Sequence, residues 1–150
     1  KYAAGLFDGE GYVRIAKVTK RGSKNYIAWQ VIAGIGMTHA PVIEAWQREF
    51  GASISVNDHS KRNIKHRPQF CWKASSQLAC GMLRRVLPYL IVKREEVELA
   101  LELQASIDTY KFKLGNRFWK HKDNAAIFAR RASIAAQICS LKHRKFSLSR

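Results

Sequence analysis

The chain has 150 residues, enough for one domain with one core, and 47% of them are apolar. Its 27 Lys and Arg face only 11 Asp and Glu, a formal net charge of +16. Self-repulsion of that size makes sense beside a polyanion: nucleic acid first, an anionic membrane surface second. No apolar run approaches the roughly 18 residues of a membrane span. Cys71, Cys80 and Cys139 are odd in number and lack C-x-x-C spacing, which argues against a disulfide framework or zinc site and for a reducing interior. No secretory signal is visible, but the chain opens on Lys1 rather than Met, so nothing is read about targeting upstream.

In chain order, Lys1 to Asp8 is apolar with small residues and reads as the end of a helix. Gly11–Val18 alternates as a strand, residues 19–25 form a polar turn, and Tyr26–Ile35 is a second, β-rich strand. Together they predict a hairpin. Thr38 is placed to cap a helix running to Phe50, with Pro41 in its first turn and Val42, Ile43, Trp46 and Phe50 on one face; Gly51 stops it. Ser53–Asn57 and Gln69–Lys73 alternate as two more strands around the basic loop Asp58–Pro68. Ser75 or Ser76 caps a helix carrying Leu78, Met82 and Val86, which Pro88 interrupts. Helices follow from about Val92 to Tyr110 and from about Asn124 to Leu141. Hairpins alternating with helices predict an α+β fold: one four-stranded antiparallel sheet, helices on one face, the other face free.

The chemistry centres on residues 3–11, AAGLFDGEG. Ala3, Ala4, Gly5 and Gly9 are small enough to let two helix backbones approach closely. Two copies packed about a two-fold axis would bring each Glu10 next to its twin. Adjacent carboxylates repel unless a cation lies between them. Asp8 is better placed to accept hydrogen bonds at the helix end than to hold metal.

This run resembles the nine-residue signature of the LAGLIDADG homing endonucleases. MLRRVLPYLIVKREEVELALEL at residues 82–103 resembles the second half of that fold: a leucine-rich helix, a P-Y-L break, then Lys93 opening another amphipathic helix. The likeness covers about residues 1–110; residues 111–150 read as a helical extension of the same domain.

The resemblance implies an αββαββα fold whose sheet is a DNA saddle. It implies a site-specific, intron-encoded double-strand DNA endonuclease, acting as a homodimer on a long near-palindromic target. Glu10 would ligate Mg²⁺ (or Mn²⁺), and Lys93, with Arg94 beside it, would act near the cleaved phosphate. Ala4, Gly5, Asp8 and Gly9 would lie at the dimer interface. The family often has Gln or Asn where this chain has Met37, so either Thr38 or His39 takes over water positioning or activity is low. Expected DNA contacts are Tyr12, Arg14, Lys20, Arg21, Lys24, Asn25, Gln30, Lys61, Arg62, Arg67, Gln69 and Lys73, with Arg130, Arg131, Lys142, Arg144 and Lys145 on flanking backbone. Ala16 and Val18 on the DNA face suggest a bulge, and Ala28, Ile32 and Gly34 make that face apolar. The alternative is an RNA maturase or DNA-binding regulator of the same fold, which would add intron RNA as a partner. Either protein works inside the cell at DNA, with no membrane partner.

Overall fold

The computed structural model describes residues 1–19, 27–58, 67–114 and 124–147. Helix α1 (Tyr2–Glu10) runs without a loop into strand β1 (Gly11–Thr19), which is followed by β2 (Ile27–Met37) and α2 (Ala40–Phe50). Then come β3 (Ser53–Asn57), β4 (Gln69–Ser75), α3 (Ser76–Val86), a 3-10 turn at Leu87–Tyr89, α4 (Arg94–Leu114) and α5 (Asn124–Ser147). The strands form one antiparallel sheet in the order β1-β2-β4-β3. The α+β architecture with a four-stranded sheet is therefore as the sequence predicts, and Pro88 ends α3 as expected.

Strand parity decides which face is covered. Val13, Val31, Ala33, Ile35, Trp72 and Ala74 are buried under the helices, whereas Tyr12, Arg14, Gln69 and Lys73 on the other face are exposed. An aromatic cluster fastens α1 and α2 to β4. The Trp46 ring stands 6.3 Å from Phe7, 4.9 Å from Phe50 and 6.0 Å from Trp72. Trp72 Nε1–H donates to the Gly51 carbonyl at 2.6 Å, so its one polar atom is satisfied.

The junction between α1 and β1 depends on Gly11. Its N–H donates to the Phe7 carbonyl, and its backbone is already extended. A Cβ there would lie 2.3 Å from the Phe7 ring and 2.5 Å from the Phe7 carbonyl oxygen. The requirement is space, and any side chain must push Phe7 out of the core. Gly11→Ala is expected to cost about 1–3 kcal/mol, measured by urea denaturation; an unchanged midpoint would show that the junction gives way freely.

Several sequence expectations are corrected in detail. The N-cap of α2 is His39 rather than Thr38, because β2 continues to Met37 and the helix starts at Ala40. Ser75 precedes α3 but makes no side-chain cap bond. Leu78 is 47% exposed; Ala79, Cys80, Met82, Leu83 and Val86 form the buried side of α3. No bulge interrupts β1, whose pairing with β2 is continuous from Gly11↔Ile35 to Thr19↔Ile27. α4 begins at Arg94, two residues inside the predicted start, and α4 and α5 extend to Leu114 and Ser147, past the predicted ends.

Candidate active site and nucleic-acid interface

Glu10 is the last residue of α1 and is exposed. Asp8, two residues earlier, is fully engaged. Its carboxylate accepts the backbone N–H of Ile91 at 2.7 Å and of Lys93 at 2.9 Å. The Lys93 ammonium donates to the Asp8 carbonyl oxygen. That carbonyl is one of the last in α1 and has no partner within the helix, so the ammonium meets it at the negative end of the helix dipole. Asp8 thus staples the turn before α4 to the end of α1, and this staple brings Lys93 to the segment that carries Glu10.

Burial raises the Asp8 pKa, but the backbone N–H groups of Ile91, Lys93 and Val92 and the Lys93 charge outweigh it and hold the carboxyl below its ordinary value of 3.8. A depressed native pKa means stability that is present above the unfolded value and lost as pH falls through the native one. Asp8→Ala is therefore expected to cost about 1–2 kcal/mol at pH 7 for a partly exposed charge-assisted pair of bonds. The gap from the wild type should narrow below pH 3.8. Denaturation at both pH values tests this; a gap that does not change with pH would rule out the ionised carboxylate as its source.

The uncovered face of the sheet is a grid of side chains. Tyr12, Gly34, Lys73 and Ser53 form one cross-strand row, and Arg14, Ile32 and Ser75 the next. Toward Glu10 lie Gly36, Cys71 and Ser55, then Gln69 and Asn57. The hydroxyl end of the Tyr12 ring sits over Gly34, where a Cβ would be 2.5 Å from Cζ and Oη. Asn57 Nδ2 donates to Cys71 Sγ at 3.4 Å. Ile32 is only 4% exposed although it faces away from the core. The apolar floor predicted from Ile32 and Gly34 is therefore covered, and what it presents outward is the Tyr12 ring with Arg14 and Lys73 beside it.

No model of a known protein family matches the sequence, and no curated protein matches it. Solved structures do. The homing endonuclease I-CvuI, in complex with the I-CreI target, superposes with TM-score 0.68 at 17% identity, over 93% of this chain and 79% of that one. The archaeal intron-encoded homing endonuclease I-Vdi141I, complexed with DNA, gives 0.68 at 13%, over 93% and 81%. The LAGLIDADG homing endonuclease I-GzeII, in complex with its DNA target, gives 0.64 at 15%, over 90% of this chain and 43% of that one. The chain has the LAGLIDADG homing endonuclease fold.

Within this LAGLIDADG fold the remaining candidates fall into three groups. Tyr12, Arg14, Gln30, Gln69 and Lys73 share the open face of the sheet, and Arg67 is exposed just before β4. Lys20, Arg21, Lys24, Asn25, Lys61 and Arg62 lie outside the described residues. A third group lies off this face. Met37 packs against the core, on the face away from the grid. Thr38 and His39 are exposed beyond the end of β2. Arg94 donates to the carbonyls of Leu90 and Pro88, at 3.2 and 3.3 Å, rather than standing beside Lys93.

Ala4, expected at a dimer face, is 1% exposed and belongs to its own core. Gly5 and Gly9, one helical turn apart, are exposed, and a Cβ at either would meet nothing within 4 Å. Of the basic residues assigned to flanking backbone, Arg131 is 4% exposed and donates to Ser106, Arg130 pairs with Glu102, and Lys142 reaches the Val13 carbonyl. These three fasten α5 to α4 and β1.

Among the described residues no three His, Cys, Asp or Glu side chains stand together as a metal site. Cys80 is buried, and desolvation pushes its thiol up to about 11, so it is a packing residue. Glu10 is an exposed carboxylate, and that is compatible with Mg²⁺, which binds through one or two carboxylates plus water and phosphate oxygens. The AAGLFDGEG motif pointed to Glu10, whereas Ser76, whose hydroxyl pairs with Gln30, was hidden behind its reading as a helix cap.

Proposed function

We propose that the chain is a site-specific double-strand DNA endonuclease that acts as a homodimer with a divalent metal held at Glu10. The observation that carries the proposal is Glu10 itself: an exposed carboxylate at the end of α1, with Lys93 tied to the same helix end through Asp8. The open Gly5–Gly9 stripe is where a second copy would pack, bringing the two Glu10 side chains to one axis. Bound there, a divalent cation would supply Lewis-acid stabilisation of the phosphodiester and a more acidic water. Glu10 would hold it, Lys93 would balance charge developing on the phosphate, and the sheet would fix the duplex by its grooves. With Met37 turned to the core, water orientation is assigned to Thr38 and His39.

The test is incubation of the whole chain with a plasmid library in Mg²⁺ buffer, with sedimentation of the free protein alongside. Double-strand cuts confined to one near-palindromic sequence, made by a dimer, are expected. A dimer that binds duplexes yet cuts none would favour the regulator or maturase reading, which Met37 supports. A monomer that binds no duplex would end the proposal.

A further inference from the structure

Gln30 occupies the uncovered face of β2, opposite Ala16 of β1. It is half-buried, and its Nε2 donates to the Ser76 hydroxyl at 3.2 Å. Ser76 opens α3 with φ of 52°, a left-handed conformation that a non-glycine residue adopts only under constraint from its surroundings. The serine therefore does not cap its helix; its backbone turns where β4 ends, and its hydroxyl meets the glutamine. Arg14 and Lys73 elsewhere on this face are long and charged, and among the described residues no such tether joins them to a neighbouring element.

A tethered amide is a reading head with few conformations left to lose. One Nε2–H is held by Ser76, which leaves the second N–H and Oε1 together on the free edge. That donor–acceptor pair matches the N7 acceptor and N6 donor that adenine shows in the major groove. Guanine offers two acceptors there, and cytosine one donor. Resting on the endonuclease reading, we infer that Gln30 is a specificity-determining residue that selects adenine, and that Ser76 is the positioning residue that fixes its amide. Six residues separate Gln30 from Gly36 at the Glu10 end of β2. At the rise of a strand this is about 20 Å, or about six base-pair steps of DNA. With β2 laid along the duplex, the adenine would stand about six pairs outward from the cut in each half-site.

The experiment is selection of bound duplexes from a randomised pool in metal-free buffer, with wild type, Gln30→Ala, Gln30→Glu and Ser76→Ala. The wild type is expected to favour adenine at one symmetric pair of positions by roughly 5- to 150-fold. Gln30→Ala should flatten that position alone. Gln30→Glu, which only accepts, should move the preference to cytosine. Ser76→Ala should weaken the adenine preference with the rest of the profile unchanged, whereas a purely structural serine would lower binding to every sequence alike. A wild-type profile retained in Gln30→Ala would overturn this inference and leave the endonuclease reading intact. Failure of every protein to enrich any sequence would overturn both.

Discussion

Glu10→Gln is expected to abolish cleavage, by about 10³-fold or more, while duplex binding persists. The substitution keeps the size of the side chain and removes the charge that a hard cation requires. It also removes a carboxylate that repels phosphate, so affinity should hold or rise slightly. Glu10 is exposed at the helix end and outside the core, so folding should not suffer. Plasmid cleavage in Mg²⁺ beside a gel-shift titration separates the two effects. Wild-type cutting by the variant would remove Glu10 from the chemistry, and loss of binding together with cutting would mean that it contributes to the interface instead.

The second large effect is on ionic strength. A chain of net charge +16 that meets DNA across a sheet should displace many condensed counterions. With about 6–10 phosphates neutralised, affinity should fall by about 10³–10⁵ between 50 and 200 mM salt. The fall should be steep for specific and random duplexes alike, because phosphate contacts carry no sequence information. Replacing Lys73, on the open face, should reduce the salt slope by about one if it touches phosphate. If it reads a base, the slope should stay and the sequence profile change. A flat salt response would mean that the positive charge serves something other than a polyanion.

Much of this arrangement is legible in the sequence because burial is periodic. Val13 against Tyr12 and Trp72 against Lys73 announce which face of each strand is covered, and the helices follow from their own apolar stripes. Asp8 and Glu10 are separable in role because Asp8 lies in the last turn of α1, where its carboxylate meets backbone N–H groups, and Glu10 is the exposed final residue of that helix. The errors arise where a residue type has two homes. A small residue such as Ala4 suits a crowded core as well as a helix crossing, and only the position of Phe7, three residues on, turns it inward. Arg131 and Lys142 look the same in sequence whether they face phosphate or, as here, Ser106 and the Val13 carbonyl of an edge strand. Thr38 lost its cap to His39 because β2 extends two residues further than its last β-branched side chain suggests. Ser76 could not have been found at all, since its partner is 46 residues away.

The passage from α1 to β1 has a mechanical corollary. Glu10 and Gly11 are consecutive members of a helix and a strand, so no hinge separates the carboxylate from Tyr12 and Arg14. In the proposed enzyme, the distance from the severed bond to the first base inspected would be set by covalent geometry, like graduations engraved on one rule. Thermal motion could rock the whole rule on the duplex, but it could not slide the zero against the scale. Such a nuclease would change its target by exchanging letters along the strands, and would keep the offset of its cut unchanged while doing so.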